Sequence, residues 1–257
     1  MRARVIPCLL LDGAGLVKTR KFRDPVYLGD PINIIRIFND KEVDEVALLD
    51  IRATREGREP DLDLLGRVAS ECFMPLAYGG GVRSTETVRA VLKIGCEKVI
   101  INSQAAEDPS FLSRSAEVVG CQSIVASIDV KRTLLGRYHV WTHGGRRRLR
   151  VDPVEYAQQL VERGAGEILL NSIDRDGTMR GYDLDLVRSV VTAVDVPVVA
   201  CGGAAGLADL RRATREAGAA ACGVGSFFVF HGCHRAVLIH VPSADALHRA
   251  LSGDDDA

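Results

Sequence analysis

No apolar stretch of this chain reaches the ~18–20 residues that a membrane-spanning helix needs. An excess of charge of either sign is also missing. The 257 residues carry 33 Lys and Arg against 34 Asp and Glu, a formal net charge of −1. That balance gives no electrostatic case for nucleic acid or a membrane surface as a partner. The seven cysteines (Cys8, Cys72, Cys96, Cys121, Cys201, Cys222, Cys233) include no CxxC pair, and the six histidines show no metal-ligand spacing. Neither a disulfide framework nor a bound metal or other cofactor is therefore expected, and the thiols read as reduced and buried in apolar runs. The opening "MRARVIPC" enters a strand directly, without the apolar core of a signal peptide, so the expectation is a cytoplasmic protein. A last absence is local. Leu9, Leu10 and Leu11 close the first apolar run with nothing that can take a proton, at a point where a catalytic acid would be useful.

What the chain does have is rhythm. Eight short apolar runs, "RVIPCLL", "EVALLDI", "MPLAY", "KVIIN", "SIVASID", "EILLNSI", "VPVVAC" and "AAACGV", alternate with segments of helical period. Runs apolar almost throughout suit parallel strands buried on both faces. Segments such as "DPINIIRIFNDKEVD", "STETVRAVLKIG" and "DPVEYAQQLVERGAG" open with Asp or Ser as a helix cap, and some end near Gly. Eight βα units at this length predict an α/β fold, a single (β/α)8 TIM barrel over residues 1–257. A doubly wound open sheet is the alternative, but it does not explain a second pattern: the chain repeats itself. "DPINIIRIFNDKEVDEVALLDI" from Asp30 aligns with "DPVEYAQQLVERGAGEILLNSI" from Asp152. "YGGG" from Tyr78 aligns with "CGGA" from Cys201, and "IINS" ending at Ser103 with "GVGS" ending at Ser226. The expected half-barrels are about 1–121 and 122–240, followed by an acidic tail at 252–257 read as disordered.

In such barrels the chemistry sits on the loops that follow the strands. Gly79, Gly80 and Gly81 after strand three, with Asn102 and Ser103 after strand four, have the makings of a phosphate cup. Glycine lets backbone N–H groups approach an anion, and a Ser hydroxyl adds a donor. Gly202 and Gly203 with Gly225 and Ser226 repeat the set, and Gly177 in "DRDGT" can join it. The plainer reading of these glycines is tight βα turns. Asp129 ends an apolar strand, so burial would raise its pKa toward that of a usable acid or base. The plainer alternative pairs it with Lys131 or Arg132. Asp176 and Asp174 follow strand six, and at least one is expected to cap a helix or tether its loop. Lys18 lies in the first loop, either closing over a phosphate or standing as a solvated charge. Arg146, Arg147, Arg148 and Arg150 read as a solvated hairpin tip. His231 and His234 near strand eight read equally as a helix-end feature. Arg4, Glu45, Lys98 and Glu167 stand at strand starts, facing the bottom mouth, where a stability network is the simple reading.

"IPCL", "YGGGV", "KVIIN", "IDVKR" and above all "GAGEILLNSIDRDGTMRGYD" resemble the cyclase subunit (HisF) family of imidazole glycerol phosphate synthase, from Arg4 to about Phe230. The resemblance implies a lyase and amidotransferase system. A glutaminase subunit docks at the barrel bottom, ammonia travels up the barrel, and a phosphorylated small-molecule substrate with two phosphates is held at the top. Under it Arg4, Glu45, Lys98 and Glu167 match a charged ring that gates the ammonia, and Asp129, Asp176 and Lys18 are the catalytic candidates. The family carries two aspartates, at the ends of strands one and five. Asp129 matches the second, but Leu10 stands in place of the first. Asp12 lies two residues on and would share that face if the strand continued, although Gly13 suggests that the strand ends first.

"PCLLL", "GLVKT", "KFRDPVYLGDPINIIRIFNDKEVDE" and "FFVFHGCHRAVLI" are similar to cyclase-like proteins of bacterial surface-polysaccharide clusters, associated with acetamidino sugars. This likeness implies an ATP-using sugar amidotransferase as a further partner, and no need for imidazole ring closure. A true cyclase of histidine biosynthesis, and a non-catalytic ammonia conduit or scaffold, are the alternatives.

Overall fold

The computed structural model describes residues 3–133, 135–232 and 234–252. Eight parallel strands close into a barrel in chain order: β1 (Arg4–Asp12), β2 (Val46–Asp50), β3 (Leu76–Gly79), β4 (Lys98–Ile101), β5 (Ile124–Arg132), β6 (Glu167–Ser172), β7 (Val198–Cys201) and β8 (Ala221–Val224). β8 pairs with β1 through Arg4↔Ala221, and β5 with β6 through Asp129↔Asn171. Each strand leads to an outer helix, α1 (Pro31–Asp40), α2 (Leu62–Glu71), α3 (Thr85–Lys93), α4 (Ser110–Val119), α5 (Pro153–Glu162), α6 (Leu184–Val191), α7 (Leu207–Arg215) and α8 (Ala244–Ser252), with a further short helix after β2, β4 and β8. This is a (β/α)8 TIM barrel.

The alternation of strand side chains makes two cores. Ile6, Ala47, Ala77, Val125, Leu169, Val199 and Ala221 fill the barrel interior. Outward-facing residues such as Val46, Leu48 and Val99 join the helices in a second, larger cluster. In α1, Ile34, Ile35 and Phe38 share the inner face, and burying each contributes roughly 1.5–3 kcal/mol.

The repeat is visible in the caps. Asp30 caps α1 (φ −73°, ψ 135°) ahead of Pro31, and Asp152 caps α5 (φ −72°, ψ 141°) ahead of Pro153. Each side chain accepts a bond from a backbone N–H of its own first turn. Asp61 and Asp183 do the same for α2 and α6.

β1 and β5 are the long strands, and each folds back as an antiparallel hairpin above the barrel. β1 pairs with Gly15–Arg20, which continues into Arg23–Gly29. β5 pairs with Tyr138–Thr142, which is followed by Arg147–Arg148. The expectation that the first strand ends before Asp12 is therefore corrected: Asp12 pairs with Gly15 around a turn in which Gly13 has φ +66°. Antiparallel pairing after the barrel proper satisfies backbone groups that a loop would leave to water.

Two more expectations change. Cys8, Cys96 and Cys222 are buried, but Cys72 and Cys201 are half-buried and Cys121 is exposed, because it starts a one-turn helix at the barrel bottom. His231 belongs to a small hairpin, Phe230–His231 against Ala236–Val237, rather than to a helix end. Cys233 and the tail residues 253–257 lie outside the described residues. No helix among the described residues is long and apolar enough to cross a membrane.

Candidate active site at the top of the barrel

One cavity opens at the carboxyl ends of the strands. It is lined by Lys18, Gly80, Gly81, Asn102, Ser103, Asp129, Asp176, Gly177, Gly202, Gly203, Gly225 and Ser226, so the residues of both candidate cups meet there with Lys18, Asp129 and Asp176. Gly80 has φ +123° and presses on the end of β2, where a Cβ would stand 2.5 Å from the Asp50 carbonyl oxygen. Gly202, likewise one residue past its strand, has φ +88° and lies against the end of β6, with Ser172 O at 2.7 Å from such a Cβ. Both positions exclude any side chain, on conformation and on space. Asn102 and Gly225, each preceding the cavity's serine, share an unusual backbone (φ −123°, ψ −85° and φ −113°, ψ −94°). The turns that carry the two serines are thus near copies of one another.

Asp129 sits between them, 8 % exposed. Asn102 Nδ2 donates to its Oδ2 at 3.1 Å and Asn171 Nδ2 to its Oδ1 at 3.4 Å. Burial pushes its pKa up to about 7. The Asn171 bond opposes the rise, the Asp176 charge adds to it, and the Asn102 bond again opposes. The alternative pairing with Lys131 or Arg132 does not occur: those cations lie over the rings of Trp141 and Tyr138. Asn171 was not singled out from sequence. It lies two residues past the inward Leu169, and strand parity alone would have placed it in the cavity. Its Oδ1 is buried without a hydrogen-bond partner.

Lys18 is buried rather than solvated. Its ammonium donates to Asp176 Oδ1 at 2.7 Å and to Thr19 O at 2.9 Å, and Thr19 Oγ1 donates to Asp176 Oδ2 at 3.3 Å. The Lys18 stem lies against Gly225, where a Cβ would come within 2.8 Å of Cε. Asp174 is the tether: it accepts the Arg132 backbone N–H at 2.7 Å. Asp12 is not among the cavity-lining residues and forms an ion pair with Arg52. Leu10 does line the cavity, beside Leu49.

The hairpin after β5 adds residues that sequence reading missed. Its tip turns inward, so that the His143 backbone N–H donates to Ser103 Oγ at 3.0 Å and His143 Nε2 lies 2.8 Å from Glu107 Oε1. Arg146, expected at a solvated tip with Arg147, Arg148 and Arg150, lines the cavity instead. The signal was beyond sequence, because it depends on where an antiparallel return strand points. Arg235, from the small hairpin after β8, stacks on Phe230 and donates to Gly177 O at 3.1 Å and Ser226 Oγ at 3.4 Å. His231 and His234 do not line the cavity.

At the opposite mouth Arg4, Glu45, Lys98 and Glu167 form a closed ring. Arg4 bridges Glu45 and Glu167, and Lys98 Nζ bridges Glu45 Oε2 at 2.9 Å and Glu167 Oε2 at 2.8 Å. Both carboxylates are 5 % exposed. Burial works against the Arg4 charge, yet the bonds and charges of Glu167 and Glu45 hold its pKa above the usual value. Among the described residues no group of three or more His, Cys, Asp or Glu is placed to hold a metal ion.

Fold and cavity define a (β/α)8 barrel with an internal repeat and its site at the strand carboxyl ends. The family described as histidine biosynthesis protein matches residues 4–234. A Pseudomonas aeruginosa protein, provisionally named imidazole glycerol phosphate synthase subunit hisF2, is 51 % identical over 96 % of this chain and 98 % of its own length. Relatives with equally provisional names occur in Leptospira interrogans (46 % identical; 95 % of this chain, 97 % of theirs) and Vibrio vulnificus (46 %; 98 % and 97 %). The chain belongs to the histidine biosynthesis protein family, in its HisF-like cyclase group.

Proposed function

We propose that this chain is the ammonia-using barrel subunit of a glutamine-dependent amidotransfer system, acting on an acceptor of surface-sugar (acetamidino) biosynthesis. The observation that carries the reading is a strand-end carboxylate without a counterpart in the other half of the barrel. Asp129, with a pKa of about 7, lies between two matched glycine loops, and Leu10 stands in the position across from it in the repeat. Ammonia from a glutaminase at the bottom passes the ring of Arg4, Glu45, Lys98 and Glu167. The interior above it, with Ala47, Ala77 and Ala221 among its lining, is small and apolar, so it favours neutral ammonia over ammonium. Gly80, Gly81, Asn102 and Ser103 hold one phosphate of the ligand. Gly177, Gly202, Gly203, Gly225 and Ser226 hold the other, with Lys18 and Asp176 fixing the second cup. The nitrogen adds to the acceptor carbon. Asp129 takes a proton from it and returns one to the leaving group, which a pKa near the working pH allows in both directions. Asn171 Oδ1 offers the incoming nitrogen an acceptor. An ATP-using sugar amidotransferase completes this system, the repeat about 1–121 and 122–240 supplies one cup each, and the chain works in the cytoplasm.

The second reading is ring closure in histidine biosynthesis, and the names of the relatives favour it. The test uses the purified protein, the two-phosphate substrate of the histidine pathway and excess ammonium at alkaline pH, which removes the need for a glutaminase. No imidazole product, with a phosphate ligand still binding, is the expected result. Turnover abolished by Asp129→Asn would establish ring closure instead. Turnover of an amidated sugar that survives Asp129→Asn would leave only a conduit.

A further inference from the structure

The two serine turns match in backbone, but the surroundings of the two glycine loops do not match in charge. Among the described residues, four carboxylates line the cavity, and each is engaged. Asp50 is held by Arg58, Asp176 by Lys18, Glu107 by His143, and Asp129 by two asparagines. Three guanidinium groups on its lining, Arg55, Arg83 and Arg146, form no ion pair with a carboxylate among the described residues. Arg55 and Arg83 flank the first loop itself. Arg55 is on the short helix Ala53–Glu56 after β2. Arg83 directly follows the Gly79–Val82 turn, and it is fixed beside Arg55 by donating to Gly57 O at 3.2 Å and Thr54 O at 3.4 Å. Arg146 stands on the other side, on the hairpin tip tied to Ser103 and Glu107 through His143. Around the second loop, the cation lining the cavity is Lys18, which Asp176 neutralises, and the Arg235 guanidinium beside it, off the lining, is taken up by Gly177 O and Ser226 Oγ.

A single phosphate is satisfied by backbone N–H groups, a hydroxyl and about one cation. Three like charges gathered at one rim repel one another unless a more highly charged ligand lies between them. We infer that the first loop takes a diphosphate group: one phosphoryl unit on Gly80, Gly81 and Ser103, and the next forked between Arg55, Arg83 and Arg146. The ligand is either a nucleoside diphosphate derivative or free inorganic diphosphate. This deepens the proposed function and rests on its reading of the first loop as a phosphate site.

Titration calorimetry of the full chain with inorganic phosphate, inorganic diphosphate and UDP tests it. Diphosphate is expected to bind at least about tenfold tighter than phosphate, as bidentate arginine contacts would give. In a triple Arg55→Gln, Arg83→Gln, Arg146→Gln variant that preference should collapse to about twofold while phosphate binding holds. The three side chains are exposed, so folding is not at risk, and a melting curve checks it. UDP binding tighter than diphosphate identifies a nucleotide source, and the reverse identifies the inorganic one. A preference that survives the triple variant, or phosphate binding that falls in the same proportion, overturns the inference but leaves the cup. No binding of any of the three ligands overturns the cup reading and this inference with it.

Discussion

Leu10 and Asp129 occupy equivalent places in strands one and five. Leu10 pairs forward with Leu49 and back with Val17, and Asp129 pairs forward with Asn171 and back with Trp141. Both side chains line the same cavity. The place in β1 equivalent to Asp129 in β5 thus carries an alkyl group, and Leu10→Asp would put a second acid there. A second carboxylate facing the cavity will raise the Asp129 pKa above about 7 through like charge. The expected outcome is ammonia-dependent ring closure gained from a near-zero baseline, with its pH profile moved upward. A variant that folds, binds phosphate and gains nothing would show that more than Leu10 separates this chain from a working cyclase.

Asp129 also sets a pH dependence of stability. Its folded pKa of about 7 lies above the ~3.9 of an unfolded aspartate. Between those values the folded chain holds a proton that the unfolded chain has released, so stability falls as pH rises through ~4 to ~7. Asp129→Asn removes that loss. It should melt like the wild type near pH 4 and at higher temperature near pH 8, by up to a few kcal/mol. Asn171 can turn its amide over and present Oδ1 to the new Nδ2, so the substitution leaves no clash of donors. The check is thermal melting across that pH range.

The bottom ring should separate two activities. Lys98→Met takes away one of the two cations shared by Glu45 and Glu167. Two nearly buried carboxylates then rest on Arg4 alone, at a cost of about 3 kcal/mol. Glutamine-dependent turnover should fall or uncouple from glutamine hydrolysis, while turnover with added ammonium stays within about twofold, since the chemistry lies at the other mouth. Equal losses in both assays would return the ring to a purely structural role.

Lys18 and Asp176 form a pair in which each side chain is almost fully buried. Lys18→Met strands the carboxylate and should cost about 3–5 kcal/mol, measured by urea unfolding. Lys18→Met with Asp176→Asn should recover much of that loss. Phosphate binding should remain weakened in the double variant, because the second cup has lost its cation.

Asp12 offers a contrast. Its ion pair with Arg52 involves a guanidinium half in solvent. Asp12→Asn should therefore change stability by less than ~1 kcal/mol and leave turnover unchanged. A loss of turnover on the order of 10²-fold would make Asp12 the missing acid after all.

Much of the site could be read from the chain because it is built from backbone. The positions of Gly80, Gly202, Ser103 and Ser226 follow from strand ends and from the repeat, and a barrel brings all strand ends to one mouth. Asp129 was legible as a polar terminus on an apolar run. Residues that reach the cavity from outside the barrel were not legible. His143 and Arg146 arrive on a hairpin whose direction depends on long-range pairing, and Lys18 reads as an ordinary loop charge until Asp176, 158 residues away, is beside it.

The sequence by itself determined the alternation of strand and helix, the caps at Asp30 and Asp152, the doubled glycine loops and the leucine at position 10. Those features are local: they follow from periodicity, capping and the lack of a side chain. Only the tertiary structure decided that Asp129 is desolvated, that Lys18 is neutralised, that four charges close one ring, and that Arg55, Arg83 and Arg146 line one cavity. Solvation and charge pairing depend on what stands within a few ångströms in space, and closing the barrel brings together residues far apart in the chain.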